Sequence, residues 1–327
     1  MTRRPKPRLS RPDQVVIRIV QSGICGTDRS VLIGKFPATQ GTIMGHEAVG
    51  VIAEMGSQVT SVAEGDRVVI NPTLYCGQCN PCMRGEWNFC VNKSGTEVGL
   101  DYDGSFADYM VLPCRFVHLI PDTMSSDRAV VIEPLACVLN NLEAGDVRAT
   151  DNVSIIGAGP MGVLTAMLCR KAGATVALFD NDLARRELAE HILDFDNTPV
   201  QMFVESATMP SANVVFDTVG TQLETAMGIV ADQGRIVVVG FNDKATANVA
   251  PLAILQRGLT IVGAGDYNGR IFPRAINLAE KLPLERLITH HFPLEDHSDA
   301  FDLLSATGTK HGYGAMKVVL TSSRETP

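Results

Sequence analysis

No stretch of this 327-residue chain stays apolar for the roughly 20 residues that a bilayer-spanning helix needs. Basic charge is scarce as well: 28 Lys and Arg stand against 36 Asp and Glu, a formal net charge of −8. A general nucleic-acid binder would show a basic face, so neither nucleic acid nor a membrane is expected as a partner. Met1–Ser10 is basic and proline-broken and has no apolar centre, so it does not read as a secretory leader. A reducing, cytoplasmic setting is expected. Arg3, Arg4, Lys6, Arg8 and Arg11, with Pro5, Pro7 and Pro12 among them, read as a solvated, extended arm. Internal repeats, low-complexity tracts and long linkers are also missing. What remains is an ordinary globular composition, 45% hydrophobic and 20% charged, long enough for two domains.

The first 120 or so residues read as short strands bounded by Gly, Pro or Asp: 15–19, 48–52, 67–70 and 109–112. Such spacing suits a small β-barrel or sandwich. From about Met124 to Gly265 strands alternate with helical stretches, as in βαβ units. Strands are expected at 152–156, 175–179, 213–216, 235–239 and 259–262. Beyond Gly265 helices are expected at 272–281 and 296–304 and a strand at 316–320, too little for a domain. That tail is expected to return to the first unit. The resulting division is 1–132 with 266–327, and an insertion at 133–265.

Four of the eight cysteines form a C-x2-C-x2-C-x7-C ladder: Cys76, Cys79, Cys82 and Cys90. Four thiolates so close in sequence can converge on one zinc ion, tetrahedrally and with no position left for chemistry, so the site is structural in type. Disulfides or buried thiols are the alternatives, and a reducing compartment disfavours the first.

Gly157-Ala158-Gly159-Pro160-Met161-Gly162 follows one strand and opens a helix, and Asp180 closes the next strand. This is the context in which a G-x-G-x-x-G motif binds a dinucleotide. Gly157 permits the turn, Gly159 the approach of the pyrophosphate, and Gly162 close helix–strand packing, while the helix start at Pro160 and Met161 offers free N–H groups. Asp180 would accept hydrogen bonds from the adenosine ribose and repel a 2′-phosphate, favouring NAD over NADP. Arg185 and Arg186 lie downstream and could soften that repulsion.

Cys25 in Gly23–Asp28, His46 and Glu47 in Gly45–Glu47, and Glu133 within the apolar run Ile132–Leu135 supply a thiolate, an imidazole and carboxylates. Singly, a buried cysteine and a core histidine are the commoner readings, whereas Glu133 in an apolar segment would be costly unpaired. Together they suit a zinc with an exchangeable position, which is catalytic in type.

With these motifs, and with Gly104–Tyr109, the chain resembles the zinc-containing medium-chain alcohol and polyol dehydrogenases, in the branch of sorbitol, threonine and glucose dehydrogenases. The resemblance covers almost the whole length. It implies an α/β plus β architecture: a GroES-like β-barrel catalytic domain with an inserted Rossmann domain, a doubly wound parallel sheet, and the active site in the cleft between them. It implies two zincs per chain, one structural and one catalytic, and assembly as a homodimer or homotetramer. Simple alcohol dehydrogenases have a cysteine where Glu133 stands, so either Glu47 or Glu133 is the third ligand, and polyols, sugars, cyclitols or amino alcohols are implied rather than ethanol. Thr27 matches the residue that takes the alcohol proton, and Val239 and Gly240 match the backbone beside the nicotinamide. Ser30 stands where many relatives complete the proton relay with histidine. The segment 192–212 looks shortened. Cys137 reads as packing, and Asn140 and Asn141 as hydroxyl contacts or helix-surface residues.

The implied activity is zinc-dependent hydride transfer between a secondary alcohol and NAD, giving a ketone. A ketone or aldehyde reductase on the same scaffold, and a catalytically quiet nucleotide-binding homologue, are the alternatives.

Overall fold

The computed structural model describes residues 3–322 apart from 94, 197 and 306–313. It divides into two compact units, Met1–Ala136 with Tyr267–Pro327, and Cys137–Asp266.

Regular structure opens with β1 (Gln14–Gly23), whose Val15, Ile17 and Ile19 are buried. Helix α1 (Gly26–Leu32) follows, then β2 (Glu47–Met55) and β3 (Arg67–Ile70). The cysteine ladder carries α2 (Asn80–Met83), after which come β4 (Tyr109–Pro113), β5 (Val117–Leu119), α3 (Ser126–Ala129) and α4 (Ile132–Ala144). The second unit alternates β6 (Asn152–Ile156), α5 (Pro160–Lys171), β7 (Thr175–Phe179), α6 (Leu183–Leu193), β8 (Gln201–Phe203) and β9 (Ala212–Asp217). It ends with α7 (Leu223–Ile229), β10 (Val230–Val238), α8 (Pro251–Arg257) and β11 (Thr260–Gly263). The chain then returns through α9 (Ile271–Ala279), β12 (Ile288–Pro293), α10 (His297–Ser305) and β13 (Lys317–Thr321).

Seven strands of the first unit form one sheet in the order β12-β13-β1-β2-β3-β5, with β4 also on β1. Strand β1 is the hub, antiparallel to β2, β4 and β13. The pairing Gly23↔Val319 brings the end of the chain back to its beginning. Val15, Ile17, Ile52, Val68, Met110 and Phe116 share one apolar cluster under this sheet.

The second unit holds a six-stranded parallel sheet in the order β11-β10-β9-β6-β7-β8. Ile155, Val214, Phe216, Ile236 and Val237 have no exposed surface, the continuous apolar signature of strands covered on both faces. The order reverses at β6, where doubly wound sheets open a crevice for ligands. Helix limits follow local chemistry: α8 begins at Pro251 and stops at Gly258 in the left-handed conformation, and Asp182 caps α6 by accepting the Arg185 N–H.

The structure adds to two readings of the sequence. The segment 192–212 holds a sixth strand, β8, only three residues long. The N-terminal arm is not merely solvated: Arg4 pairs with Asp103, and Lys6 pairs with Glu54 while its ammonium lies over the Tyr109 ring. Strands β5 and β12 also went unread, one for brevity and one because His290 and His291 interrupt its apolar pattern.

On β5, His118 stacks against Phe272 of α9, and its Nε2 is buried with no hydrogen-bond partner. Burial pushes this imidazole down to about 4 from the usual 6.5. The unfolded chain therefore takes up a proton between these values that the folded chain refuses. The stabilisation is complete above about pH 6.5 and is lost as pH falls towards about 4. A His118→Phe variant should lack this component, on the order of 2–3 kcal/mol. Urea denaturation of both proteins at pH 7.5 and 4.5 measures it, and parallel losses would contradict the assignment.

Candidate active site

In the cysteine lobe the four sulfurs of Cys76, Cys79, Cys82 and Cys90 lie within 4.8 Å of one another, with Cys76–Cys82 and Cys79–Cys90 both at 3.9 Å. Zinc–sulfur bonds of about 2.3 Å in a tetrahedron place the sulfurs roughly 3.8 Å apart, so the set fits that ion and is too open for disulfides. The Gln78 N–H, aimed at its sulfur, holds the Cys76 thiol down to about 6, and the Cys82 N–H lowers Cys79. Burial pushes Cys82 up to about 12, a cost that a bound cation would remove.

A second donor group is built around the ends of β1 and β2. Cys25 is the N-cap of α1, and its N–H donates to Asp28 Oδ2 at 2.8 Å. His46 and Glu47 open β2, and one donor atom each from Cys25, His46 and Glu47 lies within 4.8 Å of the others. Thr27 Oγ1 lies 3.7 Å from Cys25 Sγ. Glu133, in the first turn of α4, is not part of this three-donor group, yet its charge acts on His46 and on Lys317. The Tyr267 hydroxyl lies 3.4 Å from a Glu133 oxygen and 3.3 Å from Asn71 Oδ1. Ser30 donates to the Gly26 carbonyl of its own helix at 3.0 Å.

Three functional side chains escaped the sequence reading. Asp28 has no exposed surface, and its Oδ1 stands 3.7 Å from His46 Nδ1, as a carboxylate that orients a metal-binding imidazole does. Burial raises Asp28 above its ordinary value, and burial opposes charging His46, but Asp28 and Cys25 outweigh that and lift the imidazole well above 6.5. Lys317 on β13 is 4% exposed and its ammonium sits against the carboxylate of Glu47, itself 1% exposed, while also donating to the Ile24 carbonyl at 3.2 Å. Gly23 makes room for this pair, since a Cβ there would fall 2.1 Å from Glu47 Oε2. Tyr267 is the third. A thiol, an imidazole and a buried carboxylate converging within 4.8 Å are ligand types that zinc takes, so the donor set fits that ion. The only sequence signal was the short polar spacing in Cys25-Gly26-Thr27-Asp28; nothing local marks a lysine in a strand as buried.

In the second unit Gly157 takes φ +104, and a Cβ on Gly162 would lie 1.8 Å from the Gly157 carbonyl oxygen. Gly159, the N-cap of α5, faces open space, Pro160 is N1, and no side chain caps the helix start that continues through Met161. A free helix N-terminus beside an open approach fits a pyrophosphate. Asp180 is buried, with Oδ2 accepting the Ala158 N–H at 2.9 Å and Oδ1 the Asp182 N–H at 3.0 Å. Of the two arginines, Arg185 lies 3.6 Å from the Asp180 carboxylate, whereas Arg186 is spent on the Asp180 carbonyl. Val239 and Gly240 donate their N–H groups to the Asp217 carbonyl, both at 2.9 Å. On α4, Cys137 and Asn140 are half-buried, but Asn141 is 1% exposed, with neither amide atom bonded, and so is not a surface residue.

Replacing Lys317 by methionine should leave Glu47 as a buried charge with no counter-ion in metal-free protein, costing about 3–5 kcal/mol. The zinc-loaded variant should lose less. Urea denaturation with and without chelator, against wild type, measures the difference, and equal losses would show that the ammonium does not balance Glu47.

Comparison with known proteins agrees with both halves of the chain. Residues 11–122 match the alcohol dehydrogenase GroES-like domain, and residues 160–281 match the zinc-binding dehydrogenase domain. The chain is 30% identical over 321 residues to the "Probable D-xylulose reductase A" of Aspergillus clavatus, covering 93% of this chain and 89% of that one. Among solved structures, a zinc-binding dehydrogenase from Sinorhizobium meliloti 1021 bound to NADP superposes with a TM-score of 0.86 at 29% identity, covering 97% of this chain and 94% of that one. An alcohol dehydrogenase from E. coli CFT073 complexed with NADH gives 0.84 at 27% identity, covering 94% and 92%. Donor set, glycine loop and these likenesses converge: the chain belongs to the zinc-containing medium-chain alcohol and polyol dehydrogenase family, with a GroES-like domain and an inserted Rossmann domain.

Proposed function

We propose that this protein transfers hydride between a secondary alcohol of a polyol, sugar, cyclitol or amino alcohol and NAD, giving a ketone. The observation that carries this reading is the grouping of Cys25, His46 and Glu47 within 4.8 Å, with Glu133 rather than a cysteine supplying the further acidic group. Zinc held there would supply Lewis acidity that makes a hydroxyl more acidic, and a bound nicotinamide would supply the hydride acceptor. We take Cys25, His46 and Glu47 as its ligands, and Glu133 as a carboxylate facing the substrate, fixed by the Tyr267 hydroxyl. Asp28 faces His46 Nδ1 and so leaves Nε2 for the metal. Thr27, its hydroxyl 3.7 Å from Cys25 Sγ, would accept the proton of the alcohol and pass it on, and with Ser30 engaged by its own helix that exit would run by water or a carboxylate. A nearby carboxylate suits a substrate with several hydroxyls, since each neighbouring hydroxyl can donate to it.

Gly157, Gly159, Pro160, Met161 and Gly162 would hold the pyrophosphate, Val239 and Gly240 would flank the nicotinamide, and Asp180 would take the adenosine ribose hydroxyls. The buried carboxylate of Asp180 favours NAD, with Arg185 as its neighbour on the ribose side. No helix among the described residues is long and apolar enough to cross a membrane. We place the enzyme in the cytoplasm, as a homodimer or homotetramer.

Following NADH absorbance across polyols, aldoses, cyclitols and amino alcohols tests the activity. Turnover is expected with at least one class and should fall more than about 100-fold in Cys25→Ser, which removes the thiolate ligand. No turnover with any member in either direction would overturn the proposal. Asp180→Ala should move the NAD-to-NADP ratio of kcat/KM by about 10- to 100-fold towards NADP, the worth of a hydrogen bond to a charged group. An unchanged ratio would refute the role given to Asp180.

A further inference from the structure

Trp87 is the chain's one tryptophan. It sits in the cysteine lobe between Cys82 and Cys90, at the start of a short 3-10 turn that ends at Phe89. Its ring stacks on Tyr75, with centroids 4.0 Å apart and planes 15° from parallel. Tyr75 meets Phe116 edge-on, and its carbonyl accepts from Arg115 at 2.8 Å. Phe116 belongs to the apolar cluster under the seven-stranded sheet, so the indole is tied to the core of the unit as well as to the cysteine loop.

The indole also meets the chain where it returns to the first unit. A Cβ on Gly269 would lie 2.4 Å from both Cε3 and Cζ3 of Trp87, so only a bare Cα lets the ring seat there. The backbone of Gly269 is not left-handed, and close approach rather than turn geometry calls for the glycine. Beside the ring, the Gly269 N–H donates to the Gly85 carbonyl of the lobe at 3.1 Å. Two residues earlier stands Tyr267, 2% exposed, its hydroxyl 3.4 Å from a Glu133 oxygen and 3.3 Å from Asn71 Oδ1. Asp266, just before it, takes φ +35, a conformation that L residues adopt at a cost. Local preference therefore does not set the turn that delivers Tyr267.

We propose that Trp87 is a positioning residue for the alcohol substrate: carried by the cysteine lobe, it seats on Gly269 and sets the segment 267–269, so that the Tyr267 hydroxyl holds Glu133 towards the substrate. Trp87 itself touches neither substrate nor cofactor. The closed cysteine group thereby bears on the open donor group through one indole, one glycine and one phenol. This rests on the reading of Glu133 as the carboxylate that faces the substrate, which the effect of Glu133→Gln on the alcohol KM of otherwise wild-type enzyme tests separately.

Trp87→Ala in zinc-loaded enzyme should raise the alcohol KM about fivefold or more, with kcat and the NADH dissociation constant held within about twofold, as when binding shared by ground and transition states is lost. Trp87→Phe, which keeps a ring against Gly269, should bring KM back to within about twofold of wild type. In a Tyr267→Phe background Trp87→Ala should add less than about twofold, because both act through one contact. An undiminished rise in that background, or a loss shared by kcat and NADH binding, would overturn the inference. A second readout needs no turnover. In protein labelled with fluorotyrosine, the fluorine NMR signal of Tyr267, identified by its loss in Tyr267→Phe, should shift on Glu133→Gln. In Trp87→Ala that response should fall to less than about half. Gly269→Ala, which keeps every residue of the lobe and forces the segment off the ring, should do the same, and it decides the matter if Trp87→Ala does not fold. An undiminished response in either variant would overturn the inference.

Discussion

Glu47, a carboxylate with 1% of its surface exposed, stands beside a thiol and an imidazole inside the first unit, and the surrounding chain is arranged to keep it there. An isolated buried charge is costly enough that the group would neutralise itself instead. Here the ammonium of Lys317 meets it, Gly23 leaves space for both, and the return of β13 to β1 delivers the lysine from the far end of the sequence. The topology of the first unit, with its last strand laid against its first, is therefore what makes the acidic cluster affordable. A thiol, an imidazole and a carboxylate gathered in this way are the ligand types a zinc site uses.

The two donor groups differ in what they offer a metal. Four sulfurs around one tetrahedral ion would close its coordination and leave that ion a brace. Among the described residues three donors converge at Cys25, His46 and Glu47, while Asp28 faces His46 and Tyr267 reaches Glu133. In the second unit the buried carboxylates Asp180 and Asp217 each accept N–H groups from loops at the strand ends. Backbone N–H groups hold both carboxylates, and Arg185 adds a cation 3.6 Å from Asp180.

Much of this was legible in the sequence, and the limits have physical causes. The cysteine ladder and the glycine loop announce themselves because both are local: their residues meet through a turn within a few positions. β3 and β6 were read at their true limits because their apolar runs end in polar or Gly residues. β8 and β12 were not, since a three-residue strand has no period and two histidines break the other. Lys317 was invisible for a different reason. A lysine before Val318 looks like the solvent face of an alternating strand, and only its pairing with a carboxylate 270 positions away makes it an interior residue. Asp28 lies in a readable motif and Asp217 just past the strand expected at 213–216, but what each accepts depends on backbone geometry that no spacing rule specifies.

The proposed activity requires a second, open zinc site distinct from the closed one. Zinc-edge X-ray absorption on enzyme purified without chelator tests this most directly, combined with metal content per chain. Two zincs per chain are expected, one with four sulfurs and one with a single sulfur from Cys25, for an average of about 2.5 sulfurs per zinc. One zinc per chain, surrounded by four sulfurs and unaffected by Cys25→Ser, would contradict it.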